Sequence, residues 1–133
     1  MLDRDFLSLL AAAKAGETER VRELLDAGVD QNQHPGMPRG WTPLMEAAQN
    51  GSLETAQLLV ERGALVNFED GDGFTALTVA ARYKHWKIVE LLAESGGDVR
   101  HFDASGVSAL RRAETNRKKK LLARLREIAG EPE

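Results

Sequence analysis

The chain repeats itself at a regular interval, and this period constrains its fold more than any other feature. Thr42, Thr75 and Ser108 stand 33 positions apart, and each opens a similar segment rich in Ala and Leu. Gly63 and Gly96 keep the same spacing. A unit of this size cannot bury its hydrophobic face alone, so a regular period predicts a stack of units that share one core.

The residue pattern of each unit predicts two helices separated by a glycine. The first helix is short, and the small side chains of Ala47 and Ala48 allow a neighbouring helix to approach closely. Gly51 follows and can adopt the positive φ that ends a helix. The second helix carries an apolar stripe at helical spacing, formed by Leu53, Ala56, Leu59 and Val60. In the next unit the equivalent stripe includes Trp86, which we expect in the core.

The connections between units also have a recognisable pattern. Thr42 followed by Pro43 predicts a helix N-cap with proline at the first helical position. The Asp-Gly pairs at 70–73 predict a tight turn. Lys84 and Arg117 stand where earlier units have glycine. If the backbone there is left-handed, Lys84→Gly should raise the melting temperature.

This arrangement resembles the ankyrin repeat. Residues 42–47 match the T-P-L-H-x-A signature of that family except for Met45 in place of His, and residues 75–80 depart from it at two positions. Residues 63–67 and 97–99 are similar to the family's G-A-D-V-N segment. The resemblance extends from about Asp3 to about Ile128. It implies an all-α solenoid of four helix-turn-helix units joined by short β-hairpin-like turns.

We therefore expect one domain at residues 1–130, with repeats at about 3–32, 33–67, 68–100 and 101–130, and a short tail at 131–133. The end units differ from the central ones, as caps must, because one of their faces meets solvent. The first unit starts with polar residues, among which Asp3 or Asp5 could cap the helix. The last unit's second helix begins with Lys118-Lys119-Lys120. These features favour a self-capped array rather than a fragment of a longer one.

Composition narrows the classes of function. The 133 residues carry a net charge of −3 and no Cys, so disulfides and thiolate catalysis are excluded, and no bulk positive charge favours nucleic acid. No segment is long and apolar enough to span a membrane, and we expect no signal peptide because the N-terminus carries acids where a signal peptide has bases. We expect a cytoplasmic monomer that has no contact with membranes.

Motifs for catalysis, metals and cofactors are not found in the sequence. His34, His85 and His101 do not have a metal-ligand spacing, and no glycine-rich phosphate loop precedes a Lys-Ser or Lys-Thr pair. The Asp residues at 70–73 are better explained by a turn than by a calcium loop, because Phe74 follows where further oxygen ligands are needed. We expect no enzyme activity, no cofactor and no metal.

The resemblance implies a non-catalytic adaptor or scaffold that binds a protein partner through its concave face and hairpin tips. The sequence does not identify the partner. The positions expected to be exposed there combine aromatic, charged and amide side chains, a mixture that favours binding hot spots. They are Arg39, Trp41, Glu46, Gln49, Asn50, Glu69, Asp72, Phe74, Arg82, Tyr83, Phe102, Arg111 and Arg112. Trp41 and Phe74 could equally pack between neighbouring hairpins.

Two alternatives remain at this level. An inhibitor or immunity-type protein would use the same surface to block a partner enzyme. Nucleic-acid binding is less favoured and would use the basic C-terminal cap, where residues 111–126 carry eight basic residues and one acid. No aromatic residue lies within that stretch to stack on bases. A solubilising cap helix is the simpler explanation of the charge.

Overall fold

The computed structural model describes residues 4–33 and 40–130, which form eight α-helices and no strand. The helices are α1 (Arg4–Ala15), α2 (Thr18–Asp26), α3 (Pro43–Asn50), α4 (Leu53–Glu61), α5 (Ala76–Arg82), α6 (Trp86–Glu94), α7 (Ala109–Thr115) and α8 (Lys119–Ile128). This confirms the all-α class. None of these helices has the length and apolar character needed to cross a lipid bilayer.

The helices pair in sequence order and the pairs stack as repeats. The first helices of the pairs, α1, α3, α5 and α7, pack in one row, and the second helices, α2, α4, α6 and α8, pack in another. One hydrophobic cluster runs through all four pairs, from Leu9 to Leu125. The predicted solenoid of four helix-turn-helix units is therefore confirmed.

The start of each first helix after the first unit is capped as its sequence predicts. The side-chain oxygens of Thr42, Thr75 and Ser108 each accept a hydrogen bond from the backbone N–H three residues later. Pro43 occupies the first helical turn, where a missing N–H costs nothing. The predicted caps at Asp3 and Asp5 differ in outcome. Asp3 lies outside the described residues, and Asp5 lies within the first turn of α1.

Small side chains let the first helices pack closely. Ala47, Ala48, Ala80 and Ala81 are fully buried, as the sequence predicts. Met45, which replaces the His of the family signature, is buried beside them. Trp86 packs against the edge of the core, but its ring is only half buried, and the Lys118 ammonium lies 5.9 Å from the ring centroid.

The backbone at the end of each first helix is left-handed. Gly16 and Gly51 have φ values of 71° and 77°, and the equivalent Lys84 and Arg117 have values of 64° and 58°. The predicted left-handed backbone at Lys84 is thus observed, and it recurs at Arg117. These are the only residues other than glycine with positive φ among those that the structure describes.

Asparagine side chains link one unit to the next on the side of the second helices. Asn67 donates from Nδ2 to the carbonyl of Gly96 at 3.0 Å and accepts from the N–H of Asp98 at 2.9 Å. Asn32 makes the same two bonds one unit earlier, to the Gly63 carbonyl and the Leu65 N–H. These bonds hold successive units at one fixed spacing.

Candidate functional site

Two aspartates, Asp70 and Asp103, form the hairpin-like turns that precede α5 and α7. Oδ1 of Asp70 accepts the N–H groups of Asp72 and Phe74 at 2.8 and 2.9 Å. The backbone of Asp70 also donates to the Phe74 carbonyl at 3.0 Å. Asp103 forms the next turn in the same way, with the N–H of Ser105 at 2.8 Å. The turns are therefore fixed by local hydrogen bonds before any partner binds.

Trp41 connects the second unit to the turn of the third. Its indole Nε1–H donates to Oδ2 of Asp70 at 2.8 Å, and its ring is half buried. This contact supports the interpretation that Trp41 packs between neighbouring hairpins. Trp41 also lines an open pocket, so this contact holds one of the pocket walls in place.

An open pocket of about 160 Å³ lies between the turns and the first helices, where five side chains meet. They are Trp41, Phe74, Val79, Arg82 and Tyr83. The Arg82 guanidinium lies over the Phe74 ring, 5.3 Å from its centroid. The Tyr83 hydroxyl accepts a hydrogen bond from Nε2 of Gln49 at 3.1 Å, and 45% of the tyrosine remains exposed. We call the surface around this pocket the hairpin face.

The remaining predicted residues that the structure describes do not line the pocket. Asn50 bonds to Ser52 at 3.0 Å, and Glu69 lies 3.3 Å from the imidazole of His101. Phe102 is 65% exposed, the most exposed large apolar residue described. Arg39 lies outside the described residues, as do His34 and Met37 in the same connection.

Glu46 is half buried between the first helices rather than fully exposed. Burial raises the pKa of its carboxyl above the ordinary value, and the positive charge of Lys14 opposes this change only in part. A carboxyl in this environment is less available as a surface charge than the sequence predicts.

Arg112 differs from the exposed position that the sequence predicts for it. Its side chain is only 22% exposed, and its Nη2 lies 3.4 Å from Oδ2 of Asp103, whose side chain is fully buried. Its buried Nε has no hydrogen-bond partner among the described residues. The neighbouring Arg111 is 64% exposed and lies 3.7 Å from Glu114. Successive residues of a helix point in different directions, so Arg112 contacts the last turn while Arg111 faces solvent.

Sequence comparison matches this architecture to a known repeat. The family profile described as "Ankyrin repeats (3 copies)" matches residues 9–103, which is more than half of the chain. The chain belongs to the ankyrin-repeat family. Ankyrin repeats are generally protein–protein interaction modules and are typically non-catalytic.

Individual relatives match a shorter part of this ankyrin-repeat chain. "Ankyrin repeat, SAM and basic leucine zipper domain-containing protein 1" is 40% identical over 58 residues both from Oryctolagus cuniculus and from Homo sapiens. "Ankyrin repeat and SAM domain-containing protein 6" from Danio rerio is 52% identical over 58 residues. These segments cover 43–44% of this chain but only 8–12% of the relatives' length.

Several residues of the ankyrin-repeat site were not among those predicted from the sequence. Val79 lines the pocket and Asp103 forms the last turn, while Asp70, which the sequence predicts only as a turn residue, also accepts the hydrogen bond from Trp41. The two aspartates occupy equivalent positions in successive units, so the repeat could have been used to predict the Asp103 turn from the Asp70 turn. Among the described residues, no group of three or more acidic or imidazole side chains is arranged to hold a metal ion.

Proposed function

We propose that this ankyrin-repeat chain is an adaptor that binds one folded protein partner through its hairpin face. The observation that carries the proposal is the pocket between Trp41, Phe74 and Tyr83, because it places three aromatic side chains and the Arg82 guanidinium around one opening. Trp, Tyr and Arg are the residues most enriched among binding hot spots.

The pocket walls are held in place without a partner. Trp41 is bonded to Asp70, Tyr83 to Gln49, and Arg82 lies against Phe74. Ordering these side chains before binding lowers the conformational entropy lost in the complex. A rigid surface of this kind favours a partner whose shape is also fixed, with little backbone movement on binding.

A binding experiment tests the role of the pocket. The tagged chain is used to capture its partner from native extract, and the captured protein is identified and purified. Its affinity is then measured for the parent and for Arg82→Ala/Tyr83→Ala. We expect the variant to bind about tenfold or more weakly, because two hot-spot side chains are removed.

The matched control is Gln57→Ala/Glu61→Ala, which shortens two exposed side chains on the second helix α4. This control should bind like the parent. Equal loss of affinity in both variants, or none in the pocket variant while circular dichroism shows it folded, would contradict the assignment of the hairpin face. The monomeric state and the cytoplasmic location stay predictions, and light scattering of the purified chain tests the first.

A further inference from the structure

A second charged surface lies at the end of the stack away from the turns. Six basic residues follow the first helices of the third and fourth units: Lys84, Lys87, Arg117, Lys118, Lys119 and Lys120. All six are exposed. We call this surface the basic end.

The tertiary structure brings the two halves of the basic end together. The connection after α7 lies beside the start of α6, since the Lys118 ammonium sits 5.9 Å from the Trp86 ring centroid. Lys84 and Arg117 occupy equivalent left-handed positions, and Lys87 and Lys120 are likewise equivalent in successive units. The charges therefore form two matching rows on adjacent units.

The basic end lacks salt bridges to the carboxylates that the structure describes. In the described part of the chain, none of the six residues forms a salt bridge, whereas Arg20, Arg22, Arg62, Arg111, Arg112 and Arg124 all do. Six like charges held close together raise the local positive potential and attract an anionic ligand.

Backbone strain at two of the six positions argues against a solubilising role alone. Gly16 and Gly51 occupy the equivalent positions in the first two units, where glycine adopts positive φ without strain. Lys84 and Arg117 adopt the same conformation at a cost in stability. Charge could be placed on any exposed helical position without this cost, so strain at these two positions points to a function of the charge there.

The charge of the remaining molecule defines the class of ligand. The whole chain carries −3 and the basic end +6, so the other residues carry −9. A long polyanion such as duplex DNA would extend beyond the patch over a molecule whose other residues are net negative, whereas a short acidic segment would not. Lys118 also covers the Trp86 ring, which keeps this aromatic side chain from stacking on bases.

We propose that the basic end binds a short acidic peptide segment, rich in Asp and Glu, of a partner protein. None of its six residues lines the pocket of the hairpin face. The two proposals can therefore fail independently.

The test uses a fluorescent deca-glutamate peptide and measures its polarisation with the full chain. We expect binding at low salt that weakens as salt is added, because the surface charges are screened. Lys84→Gly/Arg117→Gly should bind about tenfold more weakly, from the loss of two exposed ion pairs. The same variant should melt about 6–10 °C higher, because strain is removed at both positions. Lower affinity together with higher stability is not expected of residues with a purely structural role.

Two further variants isolate the charge. Lys119→Glu/Lys120→Glu leaves the left-handed positions unchanged and should abolish binding. Arg20→Gln/Arg22→Gln on α2 makes the same change in net charge as the double glycine variant and should bind like the parent, as should Trp41→Ala on the hairpin face. The proposal is overturned by absence of binding to the parent at low salt, or by equal loss in the α2 variant. Tighter binding of a short DNA duplex than of the peptide would also overturn it.

Discussion

Gly51 is subject to two separate constraints at the residue scale. Its φ is 77°, and a Cβ added there would lie 2.6 Å from Cε1 of His85 in the next unit. The His85 ring is held by a 3.0 Å contact between Nε2 and the Gln49 carbonyl, so it cannot move away freely. Gly63 has a φ of 92°, but no atom lies within 4 Å of its added Cβ. The two glycines thus separate backbone strain from steric overlap.

We predict that Gly51→Ala destabilises the protein by about 2–4 kcal/mol, while Gly63→Ala costs about 1–2 kcal/mol from backbone strain alone. Urea denaturation of both variants measures the difference. His85→Ala should recover part of the extra loss in the Gly51→Ala background. Equal losses at Gly51 and Gly63 would show that the His85 contact is unimportant.

Lys84 gives the opposite prediction, since a residue with a Cβ already occupies a left-handed position there. We predict that Lys84→Gly stabilises the protein by about 1 kcal/mol, because relief of strain exceeds the entropy that glycine adds to the unfolded chain. Lys87→Gly is the matched control, because it removes the same charge inside α6 and should destabilise the helix by about 1 kcal/mol. Thermal melts compare the two, and a lower melting temperature for Lys84→Gly would contradict the strain argument.

The buried environment of Glu46 gives a pH dependence. Since burial raises its pKa, the folded state binds this proton more tightly than the unfolded state, and its contribution to stability falls as pH rises through the folded pKa. We predict that Glu46→Gln has a higher melting temperature than the parent at neutral pH, with a difference that shrinks towards about pH 4. The exposed Glu54→Gln is the control and should show no such trend. A difference that grows on acidification would reverse the sign of this argument.

At the scale of elements, each turn depends on how its aspartate is satisfied. Asp70 receives a hydrogen bond from Trp41 of the preceding unit, whereas Asp103 is paired with Arg112 of its own unit. Phe74 stands relative to Asp103 as Trp41 stands relative to Asp70, and its side chain has no polar atom. The last turn therefore needs a different donor, which Arg112 supplies.

We predict that Arg112→Ala destabilises the protein by about 1–3 kcal/mol, because the buried Asp103 carboxylate loses its cation. Arg111→Ala should change stability by less than about 0.5 kcal/mol, since its pair with Glu114 is exposed. Chemical denaturation of the two neighbours provides the comparison. Similar values for both would show that the Asp103 pair contributes little.

At the scale of the whole molecule, stability is shared between neighbouring units. Leu77 on α5 has units on both sides, whereas Leu125 is the one fully buried residue of α8, which packs against α7 of its own unit and α6 of the preceding one. In such a stack, loss of packing at an end opens the end unit, and loss in the centre affects both sides.

We predict that Leu125→Ala and Leu77→Ala each lose about 2–5 kcal/mol of packing energy. The two variants should differ in which helices become less stable. Hydrogen exchange should accelerate mainly in α7 and α8 for Leu125→Ala, and throughout the protein for Leu77→Ala. The same exchange pattern in both variants would contradict a stack in which each unit contacts only its neighbours.

The repeat sequence by itself determined the helices, their caps, the left-handed positions and the stacked architecture. These features depend on local patterns that recur from one unit to the next, so each unit supports the interpretation of the others. Thr42, Thr75 and Lys84 behave as their positions in the repeat predict.

Only the tertiary structure decided which side chains meet, both between units and within the last one. Trp41 reaches Asp70, Arg112 turns inward to Asp103, Glu46 is half buried near Lys14, and Lys118 lies on Trp86. These contacts join residues that differ from one unit to the next, so the period does not specify them. They depend on the spacing and rotation of packed helices, which the shared core sets.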